Sequence, residues 1–326
     1  MTPSQFNLLL ENLETDDDYP LLAMPSASTA VQLAIFLFFA QGVRYRTIGE
    51  LFGCGSALIS RSVHRVLQTL CSLHQKNVHL PDNEVPPTIR DNPKFYPFFE
   101  GCIGAIDGIL IPISIKGVTK YELAPWRCRK GFISQNVLAA VDFDMNFRYV
   151  FSGWEGSAHD DQVLTSAREK GFQAPAGCYY LADAGYTANG DLLLTPYQKT
   201  RYHLQEYGLA NEKPATEQEL FNLRHAQLCS VVERAFSVFK RRFPILEAPR
   251  RGLAIQTQVK LIYALAYLHN FLNRSGSDPF VEAAVLPPNS EPPDEISIRS
   301  SQGREGIQRR DRIAREMWIA TCPGTS

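Results

Sequence analysis

"GCIGAIDGILIPI" (101–113) sets one carboxylate, Asp107, inside an almost wholly apolar run. Residues 101–106 read as a buried strand, and an ionised carboxylate buried without a partner costs several kcal/mol. The bland explanation is local. Asp-Gly between apolar runs is a strong hairpin signal, and a turn aspartate needs no chemistry. On this stretch alone the turn reading leads. Three further acidic positions shift the balance towards a site.

Around that strand, residues 99–274 read as mixed α/β. Strand-like runs lie at 134–143, 147–154 and 178–183, the first two joined through Asp144-Met145-Asn146 in a hairpin-like connection. Helical patterns follow at 160–170, 217–243 and 256–274. Strands first, then helices around one further strand, predict a central mixed sheet flanked by helices. Upstream, 26–75 reads as all-helical, and Ser26 and Ser28 are candidate caps for an apolar helix at 30–40 that is too short to span a bilayer. Within it, "RTIGELFGCGSALISRSVHRVLQTLC" (46–71) has the plan of a helix-turn-helix, with Thr47 and Ser56 as caps and Gly53-Cys54-Gly55 as the turn. Ser60, Arg61, His64 and Arg65 then decorate the polar face of the second helix. The competing reading is an ordinary helical hairpin whose arginines are solvated. Residues 1–25 read as an N-terminal tail and the proline-containing stretch 76–98 as a linker. Residues 275–326 read as a flexible segment ending in an amphipathic helix at 309–320.

Composition excludes several classes. The net charge is −1 at pH 7 and 44% of residues are hydrophobic, so any polyanion surface must be local. Seven scattered cysteines, an odd number without a C-x-x-C pair, argue for reduced thiols and against a disulfide framework or a zinc ribbon. No apolar run is long enough to predict a membrane span.

The other acidic positions each have a bland reading. Asp160 and Asp161, after His159, sit where a strand gives way to a helix and where aspartate caps free N–H groups. Asp183 ends the 178–183 strand, the end beyond which open α/β sheets hold ligands. Glu233 lies among inward residues of the 217–243 helix, followed by Ser237, Lys240 and Arg241 one and two turns on. Together they are carboxylates on strand ends and one helix. Such a cluster repels itself unless a cation lies between its members, and hard divalent ions prefer oxygen ligands.

The blocks "GAIDG", "RKGFISQNVLAAVDFDMNFRYVFSGWEGSAHDDQVL" (129–164), "LADAGY" (181–186), "LLLTPY" (192–197) and "LFNLRHAQLCSVVERAFSVFKRRFPIL" (220–246), in that order, resemble the PIF/Harbinger transposases and the nucleases derived from them. The resemblance implies a ribonuclease-H-like α/β fold carrying a DDE-type metal site, preceded by a small helix-turn-helix region. It assigns Asp107, Asp160, Asp183 and Glu233 as catalytic and metal-binding, for Mg2+ or Mn2+ as a pair of ions. Asp161 falls where the family more often has a small or polar residue, so it ranks below Asp160. After "IDG" the family usually continues Thr-His, whereas this chain has Ile109-Leu110, which bears on competence.

The expected activity is metal-dependent phosphodiester hydrolysis in DNA at transposon ends, with strand transfer as an extension. The alternative is a domesticated, inactive DNA-binding or scaffold protein that kept the fold. Expected DNA contacts are Arg61, Arg65, Arg127, Arg129, Lys130, Lys240 and Arg241, the nearby Arg224, Arg234, Arg242, Arg250 and Arg251 adding to the last group. The resemblance further implies a Myb-like partner protein that aids nuclear entry, and with it a nuclear or otherwise cytoplasmic location; a homo-oligomer is compatible with the sequence, which does not set the oligomeric state.

Overall fold

A computed structural model describes residues 1–186, 192–200, 214–249, 252–276 and 304–321. Its centre is strand β1 (Cys102–Pro112), with β2 (Ser134–Val141), β3 (Phe147–Glu155), β4 (Tyr179–Leu181) and β5 (Leu193–Leu194) completing a five-stranded sheet of order β3-β2-β1-β4-β5. β2 is antiparallel to both β1 and β3, and β4 and β5 run parallel to β1. Asp107 and Gly108 pair with Ala139 and Leu138 in mid-strand, so the hairpin reading of Asp-Gly does not hold. Beyond them Ile109 and Ile111 are buried, and the strand continues because both need core on their side of the sheet.

Eight helices of eight or more residues surround the sheet among the described residues: α1 (Pro3–Glu14), α2 (Thr29–Ala40), α3 (Tyr45–Phe52), α4 (Ser56–Asn77), α5 (Asp160–Glu169), α6 (Glu217–Arg242), α7 (Ile255–Arg274) and α8 (Arg304–Thr321). Alternation along β1, shifted once by the irregularity between Cys102 and Gly104, splits the core. Ala105, Ile109 and Ile111 pack with α6, α7 and the N-terminal helices, whereas Ile103 and Ile106 pack with Val163, Leu164 and Ala167 of α5 on the other face. Leu33, Phe36, Ile59, Val63 and Leu70 share the first cluster with Leu265 and Leu268, so α2 and α4 have no separate core. Ser28 caps α2 by accepting from Val31 N, and Gly53, in the left-handed region at φ 61°, ends α3 two residues before α4. No described helix is long and apolar enough to cross a membrane.

Three stretches differ from expectation. The N-terminal stretch forms α1, closed by a capping box between Thr2 and Gln5, and buries Leu9 and Leu13. Lys76 of α4 holds the fully buried Asp16 carboxylate at 2.7 Å just beyond α1. The proline-containing stretch at 76–98 buries Ile89 and Phe95 in the same core. The C-terminal helix is longer than its pattern, and it docks on α6 and β5. It buries Ile313, Ala314 and Met317 and lays the Arg309 and Arg310 guanidiniums over the rings of Tyr179 and Tyr197, at 4.7 and 4.0 Å.

Side-chain amides complete backbone pairing where strands stop. Asn270 of α7 accepts from Phe147 N and donates to Phe147 O, both at 2.8 Å, and Gln258 grips Ser114 in the same way at 3.0 and 2.8 Å. Asn270→Ala is expected to leave two buried backbone groups unpaired, lowering stability by about 2–4 kcal/mol in urea denaturation. Arg242 also belongs to the core. Buried, it donates to His269 Nδ1 and His269 O at 3.0 and 3.1 Å, so it is removed from the expected phosphate-binding group.

Candidate active site

The four sequence-predicted carboxylates come from four elements that meet over β1. Asp107 is on β1, Asp160 opens α5, Asp183 follows β4, and Glu233 lies midway along α6. All four are half-buried. Because Leu181 pairs with Ala105 on the parallel neighbour, two further residues along each strand place Asp183 level with Asp107. Helix α6 crosses β1 and brings Glu233 to the same place from one face.

Asp160 reaches β1 from the other side, and glycine admits it. A Cβ on Gly108 would stand 2.6 Å from Asp160 Oδ1 and 3.3 Å from Asn136 Oδ1. Asn136, on β2, donates from Nδ2 to Asp160 Oδ1 at 2.9 Å and to Ala158 O at 3.2 Å, fixing the chain entering α5. Asp107 Oδ1 accepts from its neighbour Gly108 N at 2.7 Å, and Asp183 Oδ1 accepts from Gly185 N at 2.8 Å.

The carboxylates act on one another's charge. Burial, then Asp183, Asp160 and Glu233, pushes the Asp107 carboxyl well above the usual carboxylate range. Burial also raises Asp183, with Asp160 adding to the rise and the Gly185 amide and Arg129 opposing it. Glu233 is raised by burial and then by Asp183. Cys229, one turn before Glu233, is driven far up by burial and by Asp107, Asp183 and Glu233. Tyr186 is buried beside Asp160, Asp107, Asp183 and Asp161, and its hydroxyl has no partner among the described residues. Sequence reasoning missed Asn136 and Tyr186. The polar head of β2, Ser134-Gln135-Asn136 before an apolar run, was the available signal for the first.

The donor chemistry fits a hard divalent cation: four half-buried carboxylates, three of which act on Asp107, with oxygen as the donor atom throughout. Two of the four are turned onto neighbouring backbone amides. Among the described residues, no three His, Cys, Asp or Glu side chains converge as one ready-made ion site.

Residues 106–270 match the family described as DDE superfamily endonuclease. The chain belongs to this family. The matched span of this DDE superfamily endonuclease contains all four carboxylates, and α1 to α4 and α8 lie outside it. A human protein named "Putative nuclease HARBI1" is 26% identical over 324 residues, covering 97% of this chain and 87% of that protein. Its bovine namesake is 25% identical over 88% of this chain and 78% of its own length. "Protein ALP1-like" from Arabidopsis thaliana is 26% identical over 71% of this chain and 57% of its own length. No solved structure matches the chain.

The expected basic contacts divide into two groups. Arg129 and Lys130 are exposed on the connection between β1 and β2; Arg129 is felt at Asp183, and Lys130 at Lys240. Burial holds Lys240 below the usual lysine range, Glu247 opposing and Lys130 adding to the fall. Arg127 donates to Gly131 O at 2.6 Å and shapes the same connection, and Arg241 is exposed on α6. Arg61 and Arg65 lie elsewhere, on α4. Arg61 is exposed, whereas Arg65 is half-buried and donates to Leu22 O at 3.0 Å.

Proposed function

We propose that this DDE superfamily endonuclease is a divalent-metal-dependent DNA nuclease of transposase origin with a ribonuclease-H-like fold, and that Asp107, Asp160, Asp183 and Glu233 hold its ions. The observation that carries the reading is that four half-buried carboxylates from four elements lie around β1 inside the matched span, with Asp183, Asp160 and Glu233 all acting on Asp107. The strand plan supports the fold: three antiparallel strands in chain order, then two parallel to the first. When bound, Mg2+ or Mn2+ supplies Lewis acidity that activates water and stabilises the leaving oxygen of a phosphodiester. Asp107, Asp183 and Glu233 supply the negative charge that draws the ions in. Asn136 orients Asp160 through its 2.9 Å hydrogen bond. Arg129, Lys130, Lys240 and Arg241 receive the DNA backbone beside the carboxylates, as charges that fix register rather than read sequence. The unit α3-Gly53-α4 is a further DNA-binding element presenting Arg61. A Myb-like partner and nuclear entry through it remain part of this reading.

The second reading, an inactive DNA-binding scaffold, is favoured by Ile109-Leu110. Ile109 is core, and Leu110 pairs across the sheet with Asn136, beside the Asp160 carboxylate. The family's polar pair is therefore lost at the site itself. Asn136 nonetheless leaves Asp160 a donor, which favours competence. Calorimetric titration with Mn2+, paired with DNA binding by fluorescence anisotropy, separates the readings. Mn2+ uptake together with DNA binding is expected. DNA binding by a folded chain that takes up no Mn2+, with or without DNA, would replace the nuclease by the scaffold.

A further inference from the structure

Tyr121 is the most exposed large hydrophobic or aromatic side chain among the described residues, at 89%. Single exposed apolar groups need no explanation by themselves. Three features set this one apart.

The first is the local hydrogen bonding. Tyr121 sits on a one-turn helix, Lys120–Leu123, closed by a capping box. Glu122 accepts from Thr119 N at 2.7 Å and from Thr119 Oγ1 at 2.9 Å, while Thr119 Oγ1 accepts from Glu122 N at 3.3 Å. The ring is thus presented to solvent from a hydrogen-bonded turn.

The second is position. The turn lies within the connection from β1 to β2, whose base is closed by Ile113 N donating to Ile133 O at 3.1 Å. Pro125 O accepts from Ser157 N at 3.0 Å, tying the turn to the chain three residues before Asp160. Further along the same connection, Arg129 acts on Asp183. The connection therefore forms part of the rim of the carboxylate site.

The third is charge. Lys116, Lys120, Arg127, Arg129 and Lys130 are exposed along it, and the Glu122 carboxylate is occupied by the cap. Such a rim suits a polyanion better than an apolar protein surface.

We propose that Tyr121 is a stacking platform for an unpaired base of DNA lying along the 116–130 rim. The inference rests on the DNA reading above and deepens it, since the substrate must then carry at least one unstacked nucleotide near the scissile bond. Aromatic platforms in basic grooves bind any base through its π face, whereas an intact duplex offers such faces only at its ends.

The test compares binding of a forked duplex with single-stranded arms and of a closed-ended hairpin duplex, by anisotropy in EDTA, using the full chain. Tyr121→Ala is expected to weaken the fork about 5- to 100-fold and leave the closed duplex unchanged. Tyr121→Phe, which keeps the ring, should bind as wild type. Lys130→Ala should weaken both ligands together, and more so at low salt. Equal affinity of wild type and Tyr121→Ala for the fork, or an equal loss on both ligands, overturns the stacking proposal and leaves the DNA reading standing. A folded wild type that binds neither ligand overturns both.

Discussion

Asp107→Asn is expected to abolish Mn2+ binding and reduce strand cleavage on the order of 10³-fold or more, while raising the melting temperature of the metal-free protein at pH 7. The two effects share a cause. Asp107 lies deepest in the charge of the cluster, its carboxyl raised by burial and then by Asp183, Asp160 and Glu233. Removing the charge relieves repulsion where no cation is present and removes a ligand where one is. The pH dependence follows with a definite sign. The folded carboxyl binds its proton more tightly than the unfolded one, whose value is about 3.9. Metal-free stability therefore falls as pH rises above the unfolded value, until the folded value is passed. Saturating Mn2+ should reverse the slope, because the ion binds only the deprotonated folded site and protons compete with it as pH falls. Thermal melts from pH 5 to 8, with and without Mn2+, check this. Parallel slopes in both series would show that the four carboxylates are not one cation site.

The parts legible in the sequence were those carried by local pattern. Helices α5, α6 and α7, the β2–β3 hairpin and the Ser28 cap follow from periodicity and capping chemistry that act within a few residues. Asp107 was legible because a charge in an apolar run is costly enough to need a reason, and Asp160, Asp183 and Glu233 because they stand at a helix start, a strand end and an inward helix position. What stayed hidden depends on contacts between distant segments. In α1, Phe6, Leu9, Leu10 and Leu13 recur at helical spacing, but a short terminal run announces no partner, and here the partner is the core that α2 and α4 share with α7. Ile89 and Phe95 lie among prolines that suggested a connector. Arg242 reads as one more cation in Lys240-Arg241-Arg242, and only the helix's rotation against α7 turns it inward to His269.

Asp107-Gly108 misled for a further reason. The pair is a turn signal because glycine tolerates turn geometry, yet here the backbone is ordinary strand and the glycine serves by having no side chain. That difference gives a second large effect. Gly108→Ala is expected to lower cleavage on the order of 10²-fold, the loss typical of a reacting group displaced by about 1 Å. The new methyl carbon would stand 2.6 Å from Asp160 Oδ1 and 3.2 Å from its Cγ, against a carboxylate held by the Asn136 amide at 2.9 Å. The carboxylate must yield, because β1 is held here by its ladder to β2, Gly108 pairing with Leu138. Alanine suits a strand better than glycine by roughly 0.5–1 kcal/mol, so the fold should persist while the site suffers. The double variant with Asp160→Ala decides whether this account is right. If Gly108 acts by making room for Asp160, the double variant should be no slower than Asp160→Ala alone, because the displaced group is already gone. Fully multiplicative losses would mean that Gly108 serves the reaction by another route, such as close approach of the DNA backbone to β1. Full activity of Gly108→Ala would place Asp160 outside the catalytic set.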